Sequence, residues 1–359
     1  VSFIDVVGSL FVARSQQLCW LRIPDDHVGR GYLAEPIKRD EAYVVLRMRE
    51  MSLGYARKLW RKYYPVLHGF TQHAGHEEHQ LIGPGQLKDL SESNLDRVIN
   101  LNQRLAGPIP YDGGDLSLVV GLYSVPAGDA AKALIKTVGD ITAAAGLAVG
   151  QLPQLAQAVK TGVESIFQLN DCRLQLGVRD TLPCGKPLTT GVYVGIAAPR
   201  DRFRDFELWL NQGRLVKGQD PISGLPYTDH DYMVIEVERR TTREDWATLP
   251  GIASFDNKFG DVMRSSASPQ AKRAQLRTLW PEFEQALANS RDLTSPDRRR
   301  IQSAVANDLL GRLRLIETGN PFETRSIAHE PRRIVANDFD FLDVDTSHSA
   351  DVARLTPFA

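Results

Sequence analysis

Four of the eight histidines fall within twelve residues, at His68, His73, His76 and His79. The last three recur at every third position, with Glu77 and Glu78 among them. Imidazole nitrogens and carboxylate oxygens at this spacing are the donor types of zinc and related transition metals. With His73, His76 and His79 as ligands, the chemistry would be metal-assisted hydrolysis. Two protease signatures fail to form: Gln80 stands where H-E-x-x-H needs its second histidine, and Gly75 where H-x-x-E-H needs its first. Gly69 and Gly75, then Gly83-Pro84-Gly85, predict a loop here instead of a ligand-bearing helix. A solvated polar loop, or a surface that senses pH because histidine titrates nearest neutrality, fits the same residues.

A second constellation is basic and aromatic. Arg47, Arg49, Arg57, Lys58, Arg61 and Lys62 interleave with Tyr55, Trp60, Tyr63 and Tyr64. Cations that pair with phosphate, beside rings that stack on bases, suit nucleic acid. They suit an anionic lipid surface equally well. The plainer alternative is a solvated strand face beside ordinary core aromatics. Arg298-Arg299-Arg300 opens a predicted helix at the end where the macrodipole disfavours cations, which calls for carboxylates or a partner nearby.

A third lies in the C-terminal stretch from Asp338 to Asp345, which contains Asp338, Phe339, Asp340 and Phe341. An acidic, aromatic segment of this kind can dock on the sheet edge of a partner or form an edge strand of its own fold. Its spaced aspartates could ligate a hard cation, but the turn glycine and final glutamate of a calcium-binding loop are missing.

Other signatures are absent from the sequence. It holds no G-x-S-x-G elbow, no G-x-x-x-x-G-K-[ST] and no G-x-G-x-x-G. Cys184 with a distant histidine such as His230 is a formal thiol dyad, as any cysteine and histidine would be. The small-residue stretch Ala143–Gly150 reads as a close helix–helix approach.

The bulk properties set limits on all of this. A net charge of -1 carries no global footprint of a nucleic-acid binder, so a charged partner must meet a local patch. Three widely spaced cysteines, Cys19, Cys172 and Cys184, form no disulfide framework and read as structural thiols of a reducing compartment. The opening residues are apolar, but Asp5 interrupts them and no basic region precedes them, unlike a secretory signal. No apolar run reaches the ~18 residues of a membrane span. The expected location is cytoplasmic.

The elements that must position these residues follow from periodicity. Ala42, Val44, Leu46 and Met48 alternate with polar residues, predicting a strand with one wet face. Leu116, Leu118, Val120 and Leu122 do the same after the turn residues Asp112-Gly113-Gly114. Pro108 and Pro110 make the preceding segment a poor central strand. Cys172–Val178, Val192–Ile196 and Met233–Val237 alternate likewise, and Leu208–Val216 reads as a hairpin with a three-residue loop, Asn211-Gln212-Gly213. Helical spacing runs through 126–169. Ser268-Pro269 and Ser295-Pro296 read as paired helix starts, with serine as N-cap and proline at the first helical position.

The fold class this predicts is α+β: a β-rich, sandwich-like, mainly antiparallel core with a central helical insertion and a C-terminal helical hairpin. The expected blocks are a β-rich domain at 1–125, a helical pair at 126–169, a second β-rich block at 170–262 that either shares the first core or forms its own, a helical hairpin at 263–319 and an irregular acidic tail at 320–359. The function expected first is non-catalytic. It is an assembly or adaptor protein that contacts a protein partner or itself in a multi-protein system, of the kind bacterial defence and secretion use. That reading needs no cofactor. The alternatives are a hydrolase with zinc in the histidine loop, and a binder of nucleic acid or of an anionic membrane surface through residues 47–64.

Overall fold

A run of strand-forming residues dominates the first two thirds of the chain. The computed structural model describes residues 8–9, 18–29, 32–54, 57–58, 61–83, 98–126, 172–182, 187–199 and 207–318. The expected helical pair and the acidic tail lie outside these residues, as does Cys184. In chain order the elements begin with β1 (Cys19–Arg22), α1 (Asp25–Val28), β2 (Tyr43–Ser52), β3 (Arg57–Lys58), β4 (Arg61–His73), β5 (His76–Ile82), β6 (Val98–Pro110) and β7 (Leu116–Pro126). There follow β8 (Arg173–Leu182), β9 (Gly191–Ile196), β10 (Leu208–Asn211), β11 (Arg214–Lys217), β12 (Leu225–Pro226), β13 (Tyr232–Arg240), α2 (Ala253–Arg264), α3 (Pro269–Asn289) and α4 (Ser295–Thr318). The fold is α+β and sheet-rich, with antiparallel sheets and C-terminal helices, as the sequence predicts. Among the described residues no helix is long and apolar enough to cross a membrane.

Two compact units separate. The sheet unit falls within Val1–Arg39 and Val44–Arg239, the helical unit within Asp40–Tyr43 and Arg240–Ala359. In the sheet unit, strands from both ends of the sequence share sheets. One sheet runs β1-β9-β13-β2-β6, a second β3-β4-β7-β8 with β5 also paired to β4, and a third β10-β11-β12. Pro108 and Pro110 sit in β6, which ends its sheet, where a missing N–H costs least. β2 departs from the one-wet-face expectation: Val45, Glu50 and Ser52 are buried along with Val44, Leu46 and Met48. Glu50 is held by accepting the Leu215 N–H of β11 at 2.7 Å. Burial pushes its carboxyl above the usual carboxylate range, although that bond and the Arg214 charge pull the other way.

Two hairpins turn on residues with positive φ. Asn211 pairs with Arg214, so the β10–β11 loop is the two residues Gln212 and Gly213 (φ 50° and 80°), not the expected three. His73 pairs with His76 across Ala74 and Gly75 (φ 47° and 85°), so the expected histidine loop is a β-hairpin. Gly69 is no chain breaker there: a Cβ at that position would stand 2.4 Å from Leu105 Cδ1 of β6, and the glycine permits this close approach.

The helical unit is built on an aromatic core. Phe255 and Phe259 of α2 and Trp280 and Phe283 of α3 are buried together, with Ile301, Val305 and Leu313 of α4. Residues 253–262 belong to this helical core, although alternation further upstream had placed them with strands. Pro281 does not end α3, whose buried stripe continues through Phe283 to Leu287. Ser268 caps α3 as expected, accepting the Ala271 N–H at 3.3 Å. In α4 the cap position shifts by one: Arg298 N–H bonds Thr294 O at 2.9 Å, and the Ser295 hydroxyl instead donates to Asp40 at 2.6 Å. Burial raises the Asp40 carboxyl, but the Ser295 hydroxyl and amide and the Arg298 and Arg299 charges outweigh it and hold the net value below the usual range. Asp297 is buried and accepts from Tyr43 Oη (2.7 Å), Arg243 N–H (2.9 Å) and Arg300 Nε (2.5 Å). The arginine run at this helix start is therefore answered by carboxylates of its own unit.

Candidate functional sites

The histidine cluster resolves into separate roles. His73 is buried; its Nδ1 lies 3.1 Å from Asp115 O, and its Nε2 accepts the Asp112 N–H at 3.1 Å. Nδ1 therefore carries the proton and donates to the carbonyl. The ring also stacks on Tyr111 at 5.2 Å. His73 thus clips the turn between β6 and β7, and ligating a metal would break one or both of these bonds. His76 stands opposite His73 in the ladder and His79 opposite Phe70. Cross-strand pairing puts His73 beside His76, and His79, three residues further along β5, stands outside that pair in register, so the H-x-x-H-x-x-H spacing here spans a β-hairpin and not one turn of a helix. Among the described residues no group of three His, Cys, Asp or Glu converges in a way that could hold a metal ion. Glu78 accepts the Gly107 N–H of β6 at 2.7 Å, a structural tie.

The basic stretch divides into two parts. Arg47 and Arg49 of β2 face glutamates of β13. Arg47 Nε reaches Glu238 at 2.7 Å, Arg49 Nε bonds Glu236, and Arg49 Nη2 reaches Glu238 Oε1 at 3.4 Å. Asn102 of β6 accepts from Arg47 through its carbonyl (3.2 Å) and from Arg49 through its side-chain oxygen (2.6 Å). The result is a charge ladder across three neighbouring strands, with side-chain exposures of only 14–29%. Further on, backbone register sets Arg57 of β3 opposite Lys62 of β4 and Lys58 opposite Arg61. Trp60 lies outside the described residues, as do Asp338, Phe339, Asp340 and Phe341.

One feature escaped the sequence reading. The loop from Gly218 to Pro226 leaves Ile222 91% exposed and Leu225 74% exposed. Its shape is fixed from within. Asp220 Oδ1 accepts the N–H groups of Ile222 (2.8 Å) and Ser223 (2.9 Å), and Oδ2 accepts the Ser223 hydroxyl. These bonds, the hydroxyl first, hold the Asp220 carboxyl below its ordinary range. Two side chains of β10 grip the loop from below: Trp209 Nε1 donates to Gly218 O (3.0 Å) and Asn211 Nδ2 to Pro221 O (2.8 Å). The signal was present as Asp220-Pro221-Ile222-Ser223-Gly224, a turn-forming run with one large aliphatic residue inside it.

A cleft in the helical unit, lined by Trp246, Phe255, Asp256, Phe259 and Phe283, encloses about 200 Å³ including open solvent. That lies below the ~300 Å³ at which small-molecule sites begin. No protein-family model, no curated protein and no solved structure matches this chain.

Proposed function

We propose that the protein is a non-catalytic assembly protein that acts through protein–protein contacts, with a second copy of this chain as the first partner. One observation carries this reading: a loop held by its own hydrogen bonds presents two large aliphatic side chains to solvent. A preformed loop loses little conformational freedom on binding, so apolar burial there converts efficiently into affinity. β12 at its base is a two-residue edge strand, and a two-fold contact at such an edge would join Ile222 and Leu225 to the same pair from the other copy. Burying four such side chains is worth ~6–12 kcal/mol at roughly 1.5–3 kcal/mol each. Association itself costs about 4–15 kcal/mol, so the loop is an anchor for a moderate interface.

The test is molar mass in solution by light scattering. The chain is expected to elute at a multiple of 40.0 kDa. The double variant Ile222→Ser/Leu225→Ser should fall to the monomer mass or dissociate at least ~10-fold more readily, since lost anchors typically cost upwards of 2 kcal/mol. A wild-type protein that stays monomeric at high concentration, or a variant that assembles as before, would sink the proposal.

A further inference from the structure

We infer, resting on the two-fold contact proposed above, that the ion pair of Lys217 and Asp229 is exchanged between copies, Lys217 of each meeting Asp229 of the other, and that these two residues restrict the loop to copies of this chain. The pair stands at the loop itself. In the register of β11 with β12, Lys217 lies opposite Leu225, one of the two exposed anchors. Cross-strand partners share a face of a sheet, so the cation flanks that anchor directly. Asp229 follows four residues after Leu225 and lies 3.4 Å from Lys217 Nζ. The segment that carries it is braced on either side. Tyr227 is buried, its N–H bonds Leu215 O at 2.9 Å, and its Oη lies 2.7 Å from His230 Nδ1. Asp231 accepts the Gly54 N–H at 2.6 Å.

Within one copy the pair does little for the fold. Its side chains are 47% and 52% exposed, where water and salt screen the attraction and two long side chains must be immobilised to keep it. Set between two copies, with Ile222 and Leu225 of both excluding water, the same charges interact more strongly. The order of the signs points to the partner. A cation and an anion stand side by side next to the anchors, so a partner of one sign would meet repulsion as well as attraction. A two-fold axis turns every contact into a matching reciprocal one, so cation and anion of one copy meet anion and cation of the next. Complementarity of that kind selects partners more than it adds affinity. An apolar centre with a polar rim is the usual anatomy of such a contact.

Light scattering on the full chain tests this with Lys217→Glu and Asp229→Lys, alone and mixed. Alone, each variant sets like charges against each other twice across the axis and should dissociate at least ~10-fold more readily than wild type. Mixed in equal amounts, the two carry opposite charges at every exchanged contact and should assemble again. The loss in each single variant should shrink as salt shortens the Debye length from ~10 Å at 0.1 M to ~3 Å at 1 M. The double variant Lys217→Glu/Asp229→Lys keeps an ion pair of inverted sense within each copy. It should assemble with itself and fail to exchange subunits with fluorescently labelled wild type, an outcome that does not depend on either single variant folding. A pair that served only the fold would let the double variant exchange freely with wild type, and mixing the single variants would restore nothing; either result overturns the inference. So would a single variant that assembles as wild type does. If Ile222→Ser/Leu225→Ser is monomeric in that same measurement, the two-fold contact stands and only the exchange falls. A wild-type chain that is monomeric throughout removes both.

Discussion

Arg49 stands only eight residues before Arg57, yet the two basic groups lie in different sheets. On β2 each arginine meets a glutamate of β13, and Asn102 takes up further donors. On β3 and β4 the backbone register pairs Arg57 with Lys62 and Lys58 with Arg61. The first arrangement satisfies the charges inside the fold. A basic stretch in a sequence is thus not a single object. Whether it is a surface for a partner depends on what the neighbouring strand supplies, and that strand lies almost two hundred residues away.

Three variants sharpen or break this contrast within the protein itself. The largest effect is expected from Glu236→Gln/Glu238→Gln, which leaves Arg47 and Arg49 without carboxylates. Hydrogen bonds to charged groups contribute about 1.5–3 kcal/mol each when buried, and the partial exposure here reduces that to roughly 2 kcal/mol for the pair. The melting temperature of the sheet unit should fall by about 4–8 °C, at ~2–4 °C per kcal/mol for a unit of this size. An unchanged melt would mean that the ladder is no more than decorative.

Glu50 is the next case, a carboxylate of the same strand answered mainly by a backbone N–H. Its folded-state pKa is raised by burial, so its contribution is fully present below the ordinary carboxylate range and is lost as pH rises through the raised value. Glu50→Gln keeps an oxygen for the Leu215 N–H, and should therefore lie within ~1 kcal/mol of wild type at neutral pH. The wild type should gain on the variant as pH falls towards 4. Thermal melts of both across that range would show the opposite slope if the carboxyl is instead stabilised in its charged form.

The smallest effect, opposite in sign, belongs to Arg57→Gln/Lys62→Gln. Removing two like charges that stand opposite in backbone register should stabilise the protein by about 0.2–1 kcal/mol at low salt. The gain should vanish at high salt, where exposed charges are screened. Destabilisation by this variant would show that these cations are paired within the fold, like Arg47 and Arg49.

Much of the fold was readable from alternation and turn chemistry. The strands around Val44, Leu118, Val194 and Ile235, the Ser268 cap and the stripe from Ile301 to Leu313 all emerge from local pattern. Three features were not readable, two of them because a distant segment decides them. Gly69 looks like a breaker until Leu105 is placed against it. The histidine spacing looks like a ligand set until the β4–β5 register sets His79 opposite Phe70 and Asp112 and Asp115 engage His73. The α2 helix was hidden because Phe255, Phe259 and Met263 recur at a spacing of four over only three turns, too short a run to stand out beside the strands before it. The exposed loop differs again. Its turn residues are local, but that Ile222 faces solvent is a property of the folded surface alone.

The four residues Asp40–Tyr43 have a consequence for how this protein can be divided or inherited. They belong to the helical unit, where Asp40 fastens Ser295 and the Tyr43 phenol bridges Thr294 and Asp297. A gene segment beginning at Arg240 would encode every helix of that unit and still omit these four residues. It would leave Asp297 enclosed without its phenolic donor and the first turn of α4 without an outside anchor. The helical unit is therefore not a cassette that recombination can move whole, and the two halves of this chain are bound to travel together.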